Sequence, residues 1–299
     1  MRLADQKALS LEKAVLMALV YADLFAYPLT ADEVWFWLPR EATRKETNKT
    51  LKRLLEIKKI RKQSSFYFLA DPGVILARGR KEACSGKKLD LARKVSQGIA
   101  RCPWVELVAV SGNLAIRAAS SSDDVDLFII ALPGCLYRAR LASVLITEAF
   151  GRRRRPGERE AADKICLNLF LEGDNLVLPK SRQDFYTAHE ALQLLPLAGN
   201  MGFYRQFLLD NKWLAGYLPQ AYRVRLKGLP VENIALASKR GGANWLERVA
   251  EVSQLFYSRC RRRQLVTNEN NKRQLFFHPQ DQRWKILARF NKGLRKIAS

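Results

Sequence analysis

Two short stretches decide the fold of this chain. They are Val110-Ser111-Gly112-Asn113 and, after a gap of ten residues, Asp124-Val125-Asp126-Leu127-Phe128-Ile129-Ile130. In an extended strand alternate side chains face the same way, so Asp124 and Asp126 point together while the apolar residues beside them face the core. The first stretch ends an apolar run that starts at Val105, and this predicts a neighbouring strand followed by a glycine turn.

The two aspartates predict a metal site. Carboxylates on one face of a strand repel each other, and burying them together is costly unless a cation neutralises them. Hard oxygen ligands at this spacing suit Mg²⁺, which also holds phosphate groups. The turn at Gly112 offers backbone N–H groups for such phosphates. The alternative is a polar loop, Ser120 to Asp124, that one aspartate caps, but this leaves Asp126 in an apolar strand unexplained.

This segment resembles the polymerase-β-like nucleotidyltransferase superfamily over roughly residues 104–172. The shared pattern is a hydrophobic residue, Gly112, a gap and then Asp124-Val125-Asp126-Leu127. The resemblance implies Mg²⁺ on Asp124 and Asp126, and an NTP whose phosphates contact Ser111, Gly112 and Asn113. It further implies transfer of a nucleoside monophosphate to an acceptor, with release of pyrophosphate. A wider bacterial group with a winged-helix-like segment is also similar, through Asp184–Glu190 and Phe277-His278-Pro279.

The chain departs from this family in two places. Asn113 stands where Ser or Gly is usual. Asn168 stands on the strand that carries a third carboxylate in such enzymes, and we predict that it faces Asp124 and Asp126 as part of the catalytic site. An amide cannot take a proton, and losing a general base typically costs about 10²–10⁴ in rate. Three acids are candidate substitutes: Asp163, Glu172 and Asp174. The alternative is a weakened or inactive protein that senses nucleotide and regulates through nucleic acid.

The periodicity predicts an α/β (α+β) fold in four parts. Residues 1–72 form a winged-helix-like domain with three helices and a hairpin, and 73–103 a helical connector. Residues 104–182 form a small mixed sheet, which the resemblance implies is a nucleotidyltransferase-like core. Residues 183–299 form a helical C-terminal region, in which Trp245, Val249, Val252 and Phe256 are expected as a buried stripe.

The excess of positive charge in this chain favours polyanionic partners. Lys and Arg outnumber Asp and Glu by 52 to 29, a formal net charge of +23. A generally basic proteome is the alternative explanation. The predicted recognition helix and hairpin carry eight cations that would suit nucleic acid: Lys45, Lys49, Lys52, Arg53, Lys58, Lys59, Arg61 and Lys62. The basic loop Arg152–Arg155 lies near the predicted site, and Arg153 is predicted to bind nucleotide. The run Arg259–Arg263 fits either a phosphate contact or a solvated helix face.

The sequence gives little support for other kinds of functional site. Five scattered cysteines and two histidines argue against structural zinc and disulfides, and favour a cytoplasmic protein with reduced thiols. No apolar stretch reaches the length of a membrane span, so we expect no membrane partner. The spacing of Gly79 and Gly86-Lys87-Lys88 does not match a P-loop. His189 is expected to pack or hydrogen-bond instead of acting as a catalyst.

Overall fold

The computed structural model describes residues 9–69, 71–155, 158, 160–232, 234, 244–260, 266–268, 271–276 and 282–298. Within these ranges it is a mixed α/β protein. The helices are α1 (Leu11–Asp23), α2 (Ala31–Phe36), α3 (Arg44–Glu56), α4 (Gly73–Ala100), α5 (Gly112–Ala115), α6 (Leu136–Ala149), α7 (Phe185–Gln193), α8 (Gly202–Asp210), α9 (Trp213–Tyr217), α10 (Pro219–Gly228), α11 (Asn244–Cys260) and α12 (Arg283–Ala298). The strands are β1 (Leu29–Thr30), β2 (Arg61–Gln63), β3 (Phe66–Phe68), β4 (Val105–Val110), β5 (Val125–Ala131), β6 (Ile165–Glu172), β7 (Leu195–Gly199), β8 (Val266–Asn268) and β9 (Asn271–Phe276).

The strands form two sheets. A small antiparallel sheet near the N-terminus has the order β1-β3-β2. The central sheet has six strands in the order β7-β4-β5-β6-β9-β8. Its neighbouring strands are antiparallel except β5 and β6, which run parallel. The short apolar runs at 105–110, 125–130 and 165–171 predict three strands, and these are β4, β5 and β6.

The central sheet has an apolar core on each face. On one face Leu127, Ile129 and Phe170 pack with the buried stripe of α4, which includes Leu89 and Val95. The residues in between point to the other face. There Phe128, Ile130 and Leu171 share a core with helices from both ends of the chain. A sheet covered on both faces explains why β5 is apolar beyond its first acid.

Helix α1 is buried all round, although the sequence predicts one apolar face. Every residue from Ala14 to Ala22 is at most 9% exposed. The helix lies between α3 and α12, and a Cβ added at Gly293 of α12 would be 2.7 Å from Val20 Cγ1. A helix that is hydrophobic on all sides is typical of such a buried position. The N-terminal segment therefore shares its core with the C-terminal helices.

The region after residue 183 differs from the expected purely helical pattern. It supplies β7, which pairs with β4, and β9, which pairs with β6. These segments carry no clear alternation: Leu195-Pro196-Leu197-Ala198-Gly199 has a proline and a glycine, and β9 begins with polar residues. Pairing with a strand that is distant in sequence makes them strands, and local periodicity does not report such pairing.

The predicted buried stripe of α11 is exposed. Trp245, Val249 and Val252 are 64%, 58% and 64% exposed, and the side chain of Phe256 lies outside the described residues. The helix instead contacts α6 through Ala250 and Glu247. Glu247 Oε1 accepts from the Tyr137 backbone N–H at 2.6 Å and so satisfies the N-terminus of α6. Apolar spacing alone cannot tell which face of a helix meets a neighbour.

Among the described residues, no helix is both long and apolar enough to cross a membrane. Cys84, Cys102, Cys135 and Cys166 are free thiols. The glycine-lysine segment at residues 79–88 lies inside α4, so it forms no phosphate-binding loop.

Candidate functional site

The glycine turn connects β4 to α5 and lies against the start of β5. The Ser111 N–H donates to the Asp126 carbonyl at 2.9 Å, which continues the sheet pairing by one residue. Gly112 has φ of +64°, a conformation that costs other residues about 1 kcal/mol or more. A Cβ at this position would lie 3.1 Å from Asp126 Oδ2. Both the backbone conformation and the closeness of the carboxylate therefore require glycine here.

The two aspartates lie together at the N-terminal end of β5. Asp124 pairs with the Arg154 guanidinium, and its side chain is only 14% exposed. Asp126 Oδ1 is buried and has no hydrogen-bond partner among the described residues. Burial first, and the neighbouring Asp124 charge second, raise the pKa of Asp126 to about 7. A buried carboxylate oxygen without a partner is a group that a cation would satisfy.

Cys166 completes this cluster. Alternation along β6 predicts that Cys166 shares the face of Asn168 towards the two aspartates, but its thiol is not among the predicted ligands. The parallel pairing of β5 and β6 places Cys166 opposite Asp126. Asp124, Asp126 and Cys166 each offer one ligand atom, and these atoms lie within 4.8 Å of one another. Burial and both aspartates raise the pKa of the thiol well above its usual value. The strand register places the thiol directly opposite Asp126, a detail that alternation along β6 does not specify.

Asn168 lies beside the glycine turn. Its Nδ2 is 3.5 Å from Ser111 Oγ. The pairing of β5 with β6 shifts by one residue between Leu127 and Phe128, a β-bulge that leaves Asn168 unpaired. Past this bulge Phe170 turns into the opposite core. Simple alternation along β6 predicts that Phe170 lies on the same face as Cys166 and Asn168; this is wrong, because the alternation is interrupted at the bulge.

The loop before β5 is capped by Asp123. Its carboxylate accepts from the Ser120 N–H at 3.0 Å and the Ser120 hydroxyl at 2.6 Å. Asn113, predicted to contact phosphate, donates from Nδ2 to Asp123 Oδ2 at 3.3 Å. Asp123 is therefore the residue that caps this loop, and capping does not explain Asp124 or Asp126.

The buried side chain of Lys88 anchors the loop before β5. Lys88 of α4 has a side chain that is 2% exposed, and its ammonium group donates to the Asp123 carbonyl and to Asp163 Oδ1, both at 2.7 Å. An ammonium group buried this deeply needs such partners. Lys88 therefore ties α4 to the loop that carries Asp124.

Within the basic loop, Arg154 reaches the site and Arg153 does not. Arg153 Nη1 donates to Glu148 Oε1 of α6 at 3.0 Å, while Arg154 pairs with Asp124. The loop runs alongside the start of β6, where the Arg154 N–H donates to the Ile165 carbonyl at 2.9 Å. In extended backbone, neighbouring side chains point to opposite sides. The arginine of this loop that contacts the site is therefore Arg154, and not Arg153 as predicted.

The three acids considered as substitutes for a third carboxylate all have other partners. Asp163 pairs with Lys88, and both Glu172 and Asp174 pair with Arg273. The acid that lies near the turn is Glu190 of α7, whose Oε1 accepts at 2.6 Å from Gln193 Nε2, the nitrogen that also donates to the Gly112 carbonyl at 3.3 Å. Burial raises the pKa of Glu190 to about 7.

His189, next to Glu190, points away into the core. Its ring stacks on Tyr21 with 3.7 Å between centroids, and it also contacts Trp37 and Phe185. Burial lowers its pKa to about 3. A neutral imidazole inside an aromatic cluster is a packing residue, in agreement with the sequence-based interpretation.

Comparison of the chain with protein-family models, with curated proteins and with solved structures finds no match. The resemblance drawn from the glycine turn and the Asp-x-Asp pair therefore stays a prediction, and the geometry of these residues supplies the argument for function.

Proposed function

We propose that this protein is a Mg²⁺-dependent nucleotidyltransferase that moves a nucleoside monophosphate from an NTP to an acceptor. The observation that carries the proposal is the buried, unpartnered Asp126 Oδ1 beside Asp124, directly against a glycine turn. One guanidinium, from Arg154, faces the two carboxylates. A divalent cation would balance the remaining charge and would satisfy the free oxygen.

In this proposal Asp124 and Asp126 hold the cation, with the Cys166 thiol next to them. The bound cation would neutralise charge on the phosphates and orient the reacting phosphate for in-line attack. Ser111 and Gly112 approach the phosphates because they lie against Asp126. Asn168 supports the Ser111 hydroxyl, and Arg154 restrains Asp124.

Calorimetric titration with ATP, in Mg²⁺ and in EDTA, tests the proposal. We expect binding by the wild-type protein only in Mg²⁺, and at least about tenfold weaker binding by Asp126→Asn. Asp90→Asn is the control, because it removes the same charge from an exposed position on α4. Equal affinity of Asp126→Asn and the wild type would refute the metal assignment. Labelled NTP incubated with total RNA or lysate then separates an enzyme, which transfers label, from a protein that only binds.

The second candidate is a nucleic-acid-binding regulator, and the surface of the N-terminal segment favours it. All eight cations predicted to contact nucleic acid, on α3 and in the segment through β2, are exposed. Of the acids among them, Glu46 is folded back onto the Thr43 N–H at 2.7 Å in a capping box. The element order α1-β1-α2-α3-β2-β3, with one antiparallel sheet, supports a winged-helix-like domain.

A further inference from the structure

The acidic pair of the site has a third neighbour, the thiol of Cys166. The register of the parallel strands places Cys166 opposite Asp126. The ligand atoms of Asp124, Asp126 and Cys166 all lie within 4.8 Å of one another. Among the described residues this is the one such cluster of metal-binding side chains. One cation between the three groups could therefore contact two oxygens and one sulfur.

Each of the two carboxylates keeps an oxygen for a cation. Arg154 pairs with Asp124 through Oδ2, so the other oxygen of that carboxylate remains. Asp126 Oδ1 is buried and has no hydrogen-bond partner in the described part of the chain. A neighbouring thiol is only a weak hydrogen-bond donor, so it offsets little of the cost of burying this oxygen. A cation bound to both groups would offset it.

The sulfur atom changes which cation such a site favours. Mg²⁺ takes hard oxygen ligands and keeps several waters, so the two carboxylates are sufficient for it. Zn²⁺ is bound by thiolate as well as by carboxylate, and a thiolate ligand favours it over Mg²⁺. Three protein ligands with one open position are typical of catalytic zinc sites, whereas structural zinc sites are closed by four ligands.

We propose that Cys166 is a third ligand of the cation, so that the site prefers a thiophilic divalent cation such as Zn²⁺ to Mg²⁺. The inference rests on the proposed function, because the cation is the one that Asp124 and Asp126 hold there. The thiol binds as the thiolate, and its proton passes to the solvent. Mg²⁺ is held by the two carboxylates alone, and the sulfur adds affinity only for a thiophilic cation.

Titration with Co²⁺, a spectroscopic substitute for Zn²⁺, tests the sulfur ligand directly. We expect the wild type to show a sulfur-to-cobalt charge-transfer absorption in the near ultraviolet, and Cys166→Ser to lack it. In calorimetry Cys166→Ser should bind Zn²⁺ at least about tenfold more weakly, which corresponds to about 1.4 kcal/mol, and Mg²⁺ as tightly as the wild type. Cys84→Ser is the control, because Cys84 lies in α4 outside this cluster. It should change neither the spectrum nor the two affinities.

Cys166→Ala is the second variant, for the case that Cys166→Ser does not fold. A wild-type protein without the charge-transfer absorption, or a folded Cys166 variant that retains it, would overturn this inference. Mg²⁺-dependent ATP binding that Asp126→Asn loses would then leave the proposed function intact. If the wild type binds neither Zn²⁺ nor Mg²⁺, and ATP binding does not need a cation, the proposed function falls and this inference falls with it.

Discussion

At the residue scale, the site depends on a turn position that strongly favours glycine. Gly112 combines a positive φ with a carboxylate oxygen 3.1 Å from where a Cβ would lie. The surrounding contacts allow little relief, because Gln193 Nε2 donates to the Gly112 carbonyl and the Ser111 N–H donates to the Asp126 carbonyl. A side chain here would strain the backbone and push Asp126 away from the turn.

Gly112→Ala should therefore lower the free energy of unfolding by about 1–2 kcal/mol and weaken binding of ATP with Mg²⁺. Urea unfolding and calorimetric titration measure the two effects. Gly79→Ala in α4 is the matched control, since nothing lies within 4 Å of its added Cβ. Alanine in a helix interior should raise stability there by about 0.5–1 kcal/mol. A Gly112→Ala protein as stable as the wild type would show that the turn tolerates a side chain.

At the element scale, α3 and the strand after it present one positively charged surface. The apolar side of α3, including Leu51 and Leu54, is buried against the core. Its opposite side carries Lys45, Lys49 and Lys52, all exposed. Lys62 lies over the Tyr67 ring at 5.4 Å, which holds this cation in the hairpin. Cations fixed on one rigid surface suit a regular polyanion such as a duplex.

If this surface binds duplex nucleic acid, log affinity should fall steeply with log salt, by about 0.9 for each phosphate neutralised on B-DNA. Lys49→Glu combined with Lys52→Glu should flatten that slope, as fluorescence anisotropy over a salt series would show. The control is Lys87→Glu with Lys94→Glu, an equal change of charge at exposed positions of α4. Identical salt slopes for the two double variants would show that binding depends on the net charge of the protein and not on this surface.

At the scale of the whole molecule, an aromatic cluster joins the two ends of the chain. Tyr21 of α1 contacts Phe185 and His189 of α7 and Phe290 of α12. His189 is 3% exposed and lies at the centre of this cluster. Because α1, α7 and α12 share one core, the N-terminal segment and the C-terminal helices should lose their structure together.

The buried histidine predicts a pH dependence of stability. The unfolded chain binds a proton on His189 near its ordinary pKa of 6.5, whereas burial lowers the pKa in the folded chain to about 3. The unfolded state therefore holds more protons below pH 6.5, and stability falls as the pH drops towards 3. His189→Phe should remove this loss and gain about 2 kcal/mol relative to the wild type between pH 7 and pH 5.

Chemical unfolding at both pH values measures this difference. Tyr21→Phe keeps both the stacked ring and the histidine, so its stability relative to the wild type should not change with pH in this range. A difference between His189→Phe and the wild type that stays constant from pH 7 to pH 5 would show that His189 has the same pKa in the folded chain as in the unfolded chain.

The centre of the fold and the acidic pair could be predicted from the sequence alone, because both follow from local patterns. Short apolar runs predict β4, β5 and β6, and the Thr-x-x-Glu pattern predicts both capping boxes, at Thr30 and Thr43. The requirement for a glycine at the turn is also local. These features depend on residues a few positions apart, which the order of the chain records directly.

Which side chains meet at the site depends on contacts between distant segments. The register of β5 with β6 places Cys166 opposite Asp126, the bulge after this pair leaves Asn168 unpaired beside Ser111, and Arg154, not Arg153, contacts Asp124. Gln193, which contacts both Glu190 and the Gly112 carbonyl, lies on a helix far along the chain. Strand register and helix docking are set by pairing and packing between distant segments. The spacing of residues along the chain carries little of that information.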